Sequence, residues 1–382
     1  MVRPVGRRAV CLSLLAGALS ATFLAGCGGS TPPPATTTAT TSTTSTTSTT
    51  THASGPAQSS KLVSCGTNNA PGSEPTEVPG LFSPDSIWNR RDVASQPLGD
   101  QRLAQELTQE AESEIKEGIG PWIETGNDST PIYVVGPSQR CVPVRLDVTQ
   151  AYGKTLRTAF ARVPLPADAH PAAGSDAHLT LIQPSTDSMW EFWHLRRDGG
   201  QWRAAWGGAM HDVSSSPGYY TTDSWPGAQA SWGSTATSLP VVAGTMTIGE
   251  LERGQIDHAL AIAIPNAKES VFAFPAERTD GTLTTSVAIP EGTVFRLDPT
   301  LNLASLHLPR VIQAMAEAAQ RYGIIVRDKT NHAVGFFAED PTPLGTNPYT
   351  RLFDGKSPGV LLQSFPWKYL QVVKTNLKSN TA

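Results

Sequence analysis

The stretch GQIDHALAIAIP, Gly254–Pro265, sets an Asp and a His side by side in an otherwise apolar run. Read by alternation, Ile256, His258, Leu260, Ile262 and Ile264 share one face. Asp257, Ala259, Ala261 and Ala263 share the other, the pattern of a strand buried on both sides. Burying a carboxylate and an imidazole is costly unless each finds a partner. Asp257 and His258 are therefore either satisfied structurally or line a working cleft. In such surroundings a carboxyl pKa rises with burial and a histidine pKa answers to its neighbours, as acid–base chemistry requires.

A second concentration of chemistry lies between Met189 and Trp232. It holds Trp190, Trp193, Trp202, Trp206, Trp225 and Trp232, together with Glu191, His194, His211, Asp212, Tyr219, Tyr220 and Asp223. On the segment MWEFWHLRR, alternation puts Trp190, Phe192 and His194 on one face and Glu191 and Trp193 on the other. Trp190, Phe192, Trp202 and Trp206 have strand spacing and are expected in the core. Trp225, Trp232, Tyr219 and Tyr220 fall in a long, small-residue-rich loop and, with Trp193, His211 and Asp212, are expected to contact ligand.

Rings cover the CH faces of sugars, while carboxylates and imidazoles hydrogen-bond the hydroxyls, so this set suits a glycan. Glycoside hydrolysis needs two carboxyl groups, one protonated and one ionised. Glu191, Asp257, Asp212 and Glu250 are the candidates, with Asp257 and Glu191 on apparent strands. A lyase needs a base and an acid, roles open to His258, His194 or His211 with Tyr219 or Tyr220. The catalytic set expected is thus Asp257, His258, Glu191 and His194. Each of these residues also has a purely structural reading, and only their meeting in one pocket decides between the two.

Other chemistries lack their signatures. The chain has no HExxH, no CxxC, no EF-hand loop and no G-x-S-x-G, and no glycine-rich phosphate loop. No metal or cofactor is expected, although loop aspartates leave a calcium site open. The net charge of −4, with no basic stripe, argues against a nucleic-acid partner.

The elements that must position these groups read as mainly β. Many short strand candidates are separated by Gly, Pro, Asn and Asp, among them Thr245–Ile248 and Ile256–Ile264. Two helices stand out. Leu98 to Glu117 has Leu103, Leu107, Ala111 and Ile115 at a period of four, stopped by Gly118 and Gly120. Leu308 to Tyr322 has Pro309 in its first turn and Gly323 just after its end. The expected fold is an antiparallel β-sandwich or jelly roll with two peripheral helices.

The first residues carry an address. Arg3, Arg7 and Arg8 precede a short apolar run that ends in Leu24-Ala25-Gly26-Cys27. This resembles the lipobox of bacterial lipoproteins. The resemblance implies removal of residues 1–26, acylation of Cys27, and attachment to the cell membrane from the extracytoplasmic side by more than one acyl chain. Residues 27–64, with their Thr/Ser run, are expected as a disordered linker, and 65–382 as a single domain. Cys65 and Cys141 remain as an even pair in an exported chain and are expected to form a disulfide.

Ser86-Ile87-Trp88-Asn89, Gly254–Leu260 and Phe295–Pro299 loosely resemble stretches of secreted actinobacterial proteins, a likeness that implies no activity. Jelly-roll polysaccharide lyases and glycosidases are similar in strand count and aromatic content, an analogy of fold alone. The function expected from the sequence is a membrane-anchored extracytoplasmic protein, monomeric, that binds a polysaccharide of the envelope or environment and has residues suited to cleaving it. The alternative is a non-catalytic envelope scaffold or adhesion lipoprotein.

Overall fold

The computed structural model describes residues 62–68 and 81–379. Cys27, the leader at 1–26 and nearly all of the linker expected at 27–64 lie outside the described residues. Among the described residues there are sixteen strands, numbered along the chain, in four sheets. The largest orders six strands as β1 (Trp122–Glu124), β14 (Gly335–Phe337), β9 (Leu260–Ile264), β13 (Ile324–Lys329), β12 (Val294–Leu297) and β15 (Leu370–Val372). A four-stranded sheet runs β2 (Ile132–Val134), β4 (Leu179–Gln183), β5 (Ser188–Trp193) and β8 (Trp206–His211). Two three-stranded sheets complete the set. One is β3 (Val144–Leu146), β7 (Gln201–Ala204) and β6 (Arg196–Asp198). The other is β11 (Ile289–Glu291), β10 (Ala267–Ala273) and β16 (Leu377–Ser379).

The β-rich expectation holds, but antiparallel is only partly true. Every sheet contains both directions. β1 with β14, β9 with β13, β2 with β4, β3 with β7 and β10 with β11 are parallel, and the other pairings are antiparallel. Parallel neighbours need long crossovers. That between β9 and β13 contains one of the two expected helices.

The helices are α1 (Gln101–Glu117), α2 (Lys154–Ala159), α3 (Ile248–Arg253), α4 (Arg310–Arg321), α5 (Tyr349–Leu352) and α6 (Pro358–Leu362). The Asp100 side chain caps α1 by accepting from Arg102 N, and Gly118 closes it at φ 73°. Ala104, Leu107 and Ala111 face inward from it. α4 buries Val311, Ala314, Met315 and Ala318, as their spacing requires. The strand expected at Thr245–Ile248 is reduced to one β-bridge, Met246 with Ala338, because α3 begins at Ile248. The start of α3 is a capping box, with Thr247 Oγ1 accepting from Glu250 N and Glu250 Oε2 accepting from Thr247 N.

Cys65 and Cys141 are disulfide-bonded, with 5.3 Å between their Cα atoms. Beside them Ser64 N donates to Gln183 Oε1 and Gln183 Nε2 donates to Ser64 O, so the chain is fixed to the end of β4. The bond closes a sequence separation of 76 residues. Replacing both cysteines by serine is expected to lower unfolding free energy by roughly 4 kcal/mol in the chain-entropy account. Denaturant titration checks this, and a loss below about 1 kcal/mol would mean that the tether contributes little.

Candidate functional site

β9 begins at Leu260, so Asp257 and His258 precede the strand rather than lying within it. They occupy the turn that leaves α3. Gly254, at φ 74°, ends that helix, and Gly254 N and Gln255 N both donate to Glu250 O. The strand starts when Ala259 N donates to Trp88 O at 2.7 Å and Leu260 N to Gly323 O at 3.0 Å. The apolar alternation is real from Leu260 onward, where all five residues are buried. Asp257, by contrast, is exposed. The costly burial implied by the alternation does not occur for it.

His258 is held by both ring nitrogens. Nδ1 lies 2.9 Å from Ala259 O and Nε2 lies 3.2 Å from Glu250 Oε2. Two acceptors for two ring nitrogens are matched by the imidazolium, which has two donors. Burial disfavours that cation, but the charge and hydrogen bond of Glu250 outweigh it, with help from Ala259 O and Asp257, and the pKa of His258 rises. Burial likewise pushes the Glu250 carboxyl up. The His258 charge and the donors from His258 and Thr247 overcome it and bring Glu250 down to about 2. The result is a locked ion pair, not a base awaiting a proton.

Asp257 faces outward at the junction of two hollows. One, of about 320 Å³, is walled by Trp88, Val242, Thr245, Glu250, Arg253 and His258. The other, of about 750 Å³, is walled by Asp85, Arg90, Arg91, Asp92 and Tyr322. Asn89 and Asp257 belong to both walls. The Asp257 carboxylate accepts from Gln255 Nε2 at 2.8 and 2.9 Å and from the Tyr322 hydroxyl at 3.3 Å. An accessible anion and arginines thus share one opening, beside the hydroxyl of the buried Tyr322.

Trp88, singled out in the sequence only by a loose likeness, positions this wall. Its Nε1 donates to Gly218 O at 2.7 Å while its own carbonyl accepts from Ala259 N. A Cβ added at Gly218 or at Gly244 would stand 2.5 Å from an atom of the Trp88 ring, and both glycines have positive φ, 87° and 71°. Only glycine meets both demands. Those glycines are distant from Trp88 in the chain, so only its place within Ser86-Ile87-Trp88-Asn89 marks it in the sequence.

The segment 189–232 goes elsewhere. Neither hollow has a wall residue from it. Tyr220, Trp225 and Trp232, expected against a ligand, are buried, as are Trp190, Phe192 and Trp202. Trp225 stands edge-on to Trp190 at 5.7 Å, filling core that the loop reading left open. Trp206, expected in the core, is only half-buried, and its Nε1 donates to Ser231 O at 3.2 Å. Tyr219 is half-buried against Phe274. Trp193 Nε1 donates to Asp176 Oδ1 at 2.9 Å. His194 sits in a turn at φ 53°, beyond the end of β5, and so does not continue the face of Trp190 and Phe192. His211 pairs with Asp212 through Nδ1 and Oδ2 at 2.7 Å, away from the groove.

Glu191 is fully buried and closed off. Oε1 accepts from Ser234 N at 2.7 Å and Oε2 from Val241 N at 2.8 Å. Burial raises its pKa to about 7, against the pull of those two donors and of the Arg327 charge. Arg327, also buried, donates through Nη1 to the carbonyls of Val241 and Ala243 and to Thr245 Oγ1, and lies 3.8 Å over the Phe337 ring. Of the four residues expected to catalyse, the structure brings Asp257 and His258 together and places Glu191 and His194 apart from them. Of the carboxyl candidates, Asp257 and Glu250 share the wall of the first hollow, with Glu250 bonded to His258 and Thr247, while Glu191 and Asp212 are not part of that wall.

In comparisons with known proteins, no family model, curated protein or solved structure matches the chain.

Glu114, Glu124 and Glu191 all have pKa values raised to about 7, chiefly by burial. The folded chain keeps protons that the unfolded chain releases above about pH 4.5, so these groups contribute less stability as pH rises from about 4.5 to 7. His258, raised, loses its contribution in the same direction. His178, lowered to about 4 by burial, opposes them up to about pH 6.5. The melting temperature is therefore expected to fall between about pH 5 and 8, and Glu191→Gln to flatten the fall. A melting temperature that climbs over that interval contradicts the assignment.

Proposed function

We propose that this chain is an extracytoplasmic protein, anchored through an acylated Cys27, that binds a polysaccharide segment in the groove around Asp257 and Asn89 without cleaving it. One observation carries the reading: an exposed carboxylate, Asp257, stands where two hollows join, with the Tyr322 hydroxyl 3.3 Å away. Sugar hydroxyls donate hydrogen bonds to carboxylates and accept them from guanidinium groups. Arg90 and Arg91 in the second hollow supply donors of that kind. Cleavage is left out of the proposal. Glu191 has both oxygens bonded to backbone N–H groups inside the core, and His258 has both nitrogens committed. The sandwich architecture belongs to the same reading, supported by one hydrophobic core shared between the six-stranded and four-stranded sheets.

Calorimetric titration of the full chain with a panel of polysaccharides tests it. Asp257→Ala is expected to weaken the best binder by about 1.5–3 kcal/mol, roughly tenfold to hundredfold, the range for a charge-assisted hydrogen bond. Its melting temperature should stay put because Asp257 is exposed. Binding indifferent to that substitution, or the appearance of new reducing ends or unsaturated sugars, refutes the proposal. For the anchor, Cys27→Ser is expected to move the protein out of membrane fractions, and firm retention there counts against acylation.

A further inference from the structure

A cluster of carboxylates gathers away from the groove. Asp280 follows β10, Glu291 ends β11 and Asp328 lies on β13. The backbone brings them together: β11 pairs with β10, and Gly292 N donates to Val326 O at 2.7 Å. One oxygen from each of the three carboxyl groups lies within 4.8 Å of one from each of the others.

Glu291 is the informative member. Its side chain is fully buried. Oε2 accepts from Thr279 Oγ1 at 2.5 Å and from Asp280 N at 3.1 Å. Oε1 is buried with no hydrogen-bond donor among the described residues. A buried carboxylate oxygen with no donor carries the full cost of its desolvation. Two further acids close by make this worse.

Positive charge nearby is incomplete. Arg278 feels Asp328, Asp280 and Glu291, and so offsets one charge of three. Arg327 spends its Nη1 on Val241, Ala243 and Thr245, and its charge is shared between Asp328 and Glu191.

We propose that Asp280, Glu291 and Asp328 bind a calcium ion, with Glu291 Oε1 as its buried ligand. The donors are all carboxylate oxygens, which select hard cations over zinc or copper. Calcium takes oxygens at about 2.3–2.6 Å, so opposed ligands stand up to about 5 Å apart; magnesium, at about 2.0–2.1 Å, draws them closer. An ion here would tie the loop around Asp280 to β11 and β13.

The test is calorimetric titration of calcium chloride into the chelator-treated full chain near neutral pH, paired with thermal unfolding. One calcium per chain and a higher melting temperature are expected. Asp280 is exposed, so Asp280→Asn should weaken calcium binding by about tenfold or more without lowering the melting temperature of the calcium-free chain. Asp328→Asn should do the same to binding. Absence of both heat and thermal shift overturns the proposal, the three acids then sharing a proton. So does calcium binding that neither substitution alters, and magnesium binding of equal strength overturns the choice of ion.

Discussion

Val241 is gripped at both ends of its peptide. Its N–H donates to Glu191 on β5 and its carbonyl accepts from Arg327 on β13. One buried acid and one buried base, from two different sheets, thereby hold the segment between Ser234 and Thr245. Removing either side chain would leave a buried backbone group of Val241 without its partner, at a cost of about 1–3 kcal/mol. What the arrangement supplies is position. Val242, Gly244 and Thr245, which follow directly, form one wall of the hollow beside Asp257. Ala261 N donates to Gly244 O, so β9 is registered against the same segment.

Trp88 extends that constraint to the other wall. Its ring occupies the space left by Gly218 and Gly244, and its carbonyl receives Ala259 N just past His258. The groove is thus framed by tightly packed groups, while Asp257 stands exposed on the rim. A rigid frame presenting accessible polar groups is suited to recognition. The charge pair of Glu250 and His258 belongs to the frame, since it closes α3 and fixes the turn that presents Asp257.

Local signals in the sequence are legible where the structure is local. α1 and α4 follow from their four-residue period and their terminal glycines, and Cys65 and Cys141 from being the two thiols left in an exported body. The capping box of α3 is equally present in Thr247-x-x-Glu250, but the apolar residues around it read as strand. What the sequence hides is set by distant backbone. Glu191 among tryptophans looks like a catalytic acid because its partners are main-chain N–H groups 43 and 50 residues away, which no side-chain type announces. Trp225 and Trp232 lie outside regular elements yet are buried, since a long loop can fill a core with its own rings. Parallel pairing leaves little mark on alternation, so strand count alone points to an antiparallel sandwich.

A groove binder and an aromatic-loop binder differ in which surface meets the ligand. Amide hydrogen exchange of the full chain, with and without a saturating polysaccharide, reads this directly. Slowed exchange confined to residues 84–92 and 255–258 is the predicted result. Slowed exchange confined to 211–232, with those two stretches unchanged, would contradict it and return the aromatic segment to the centre of the function.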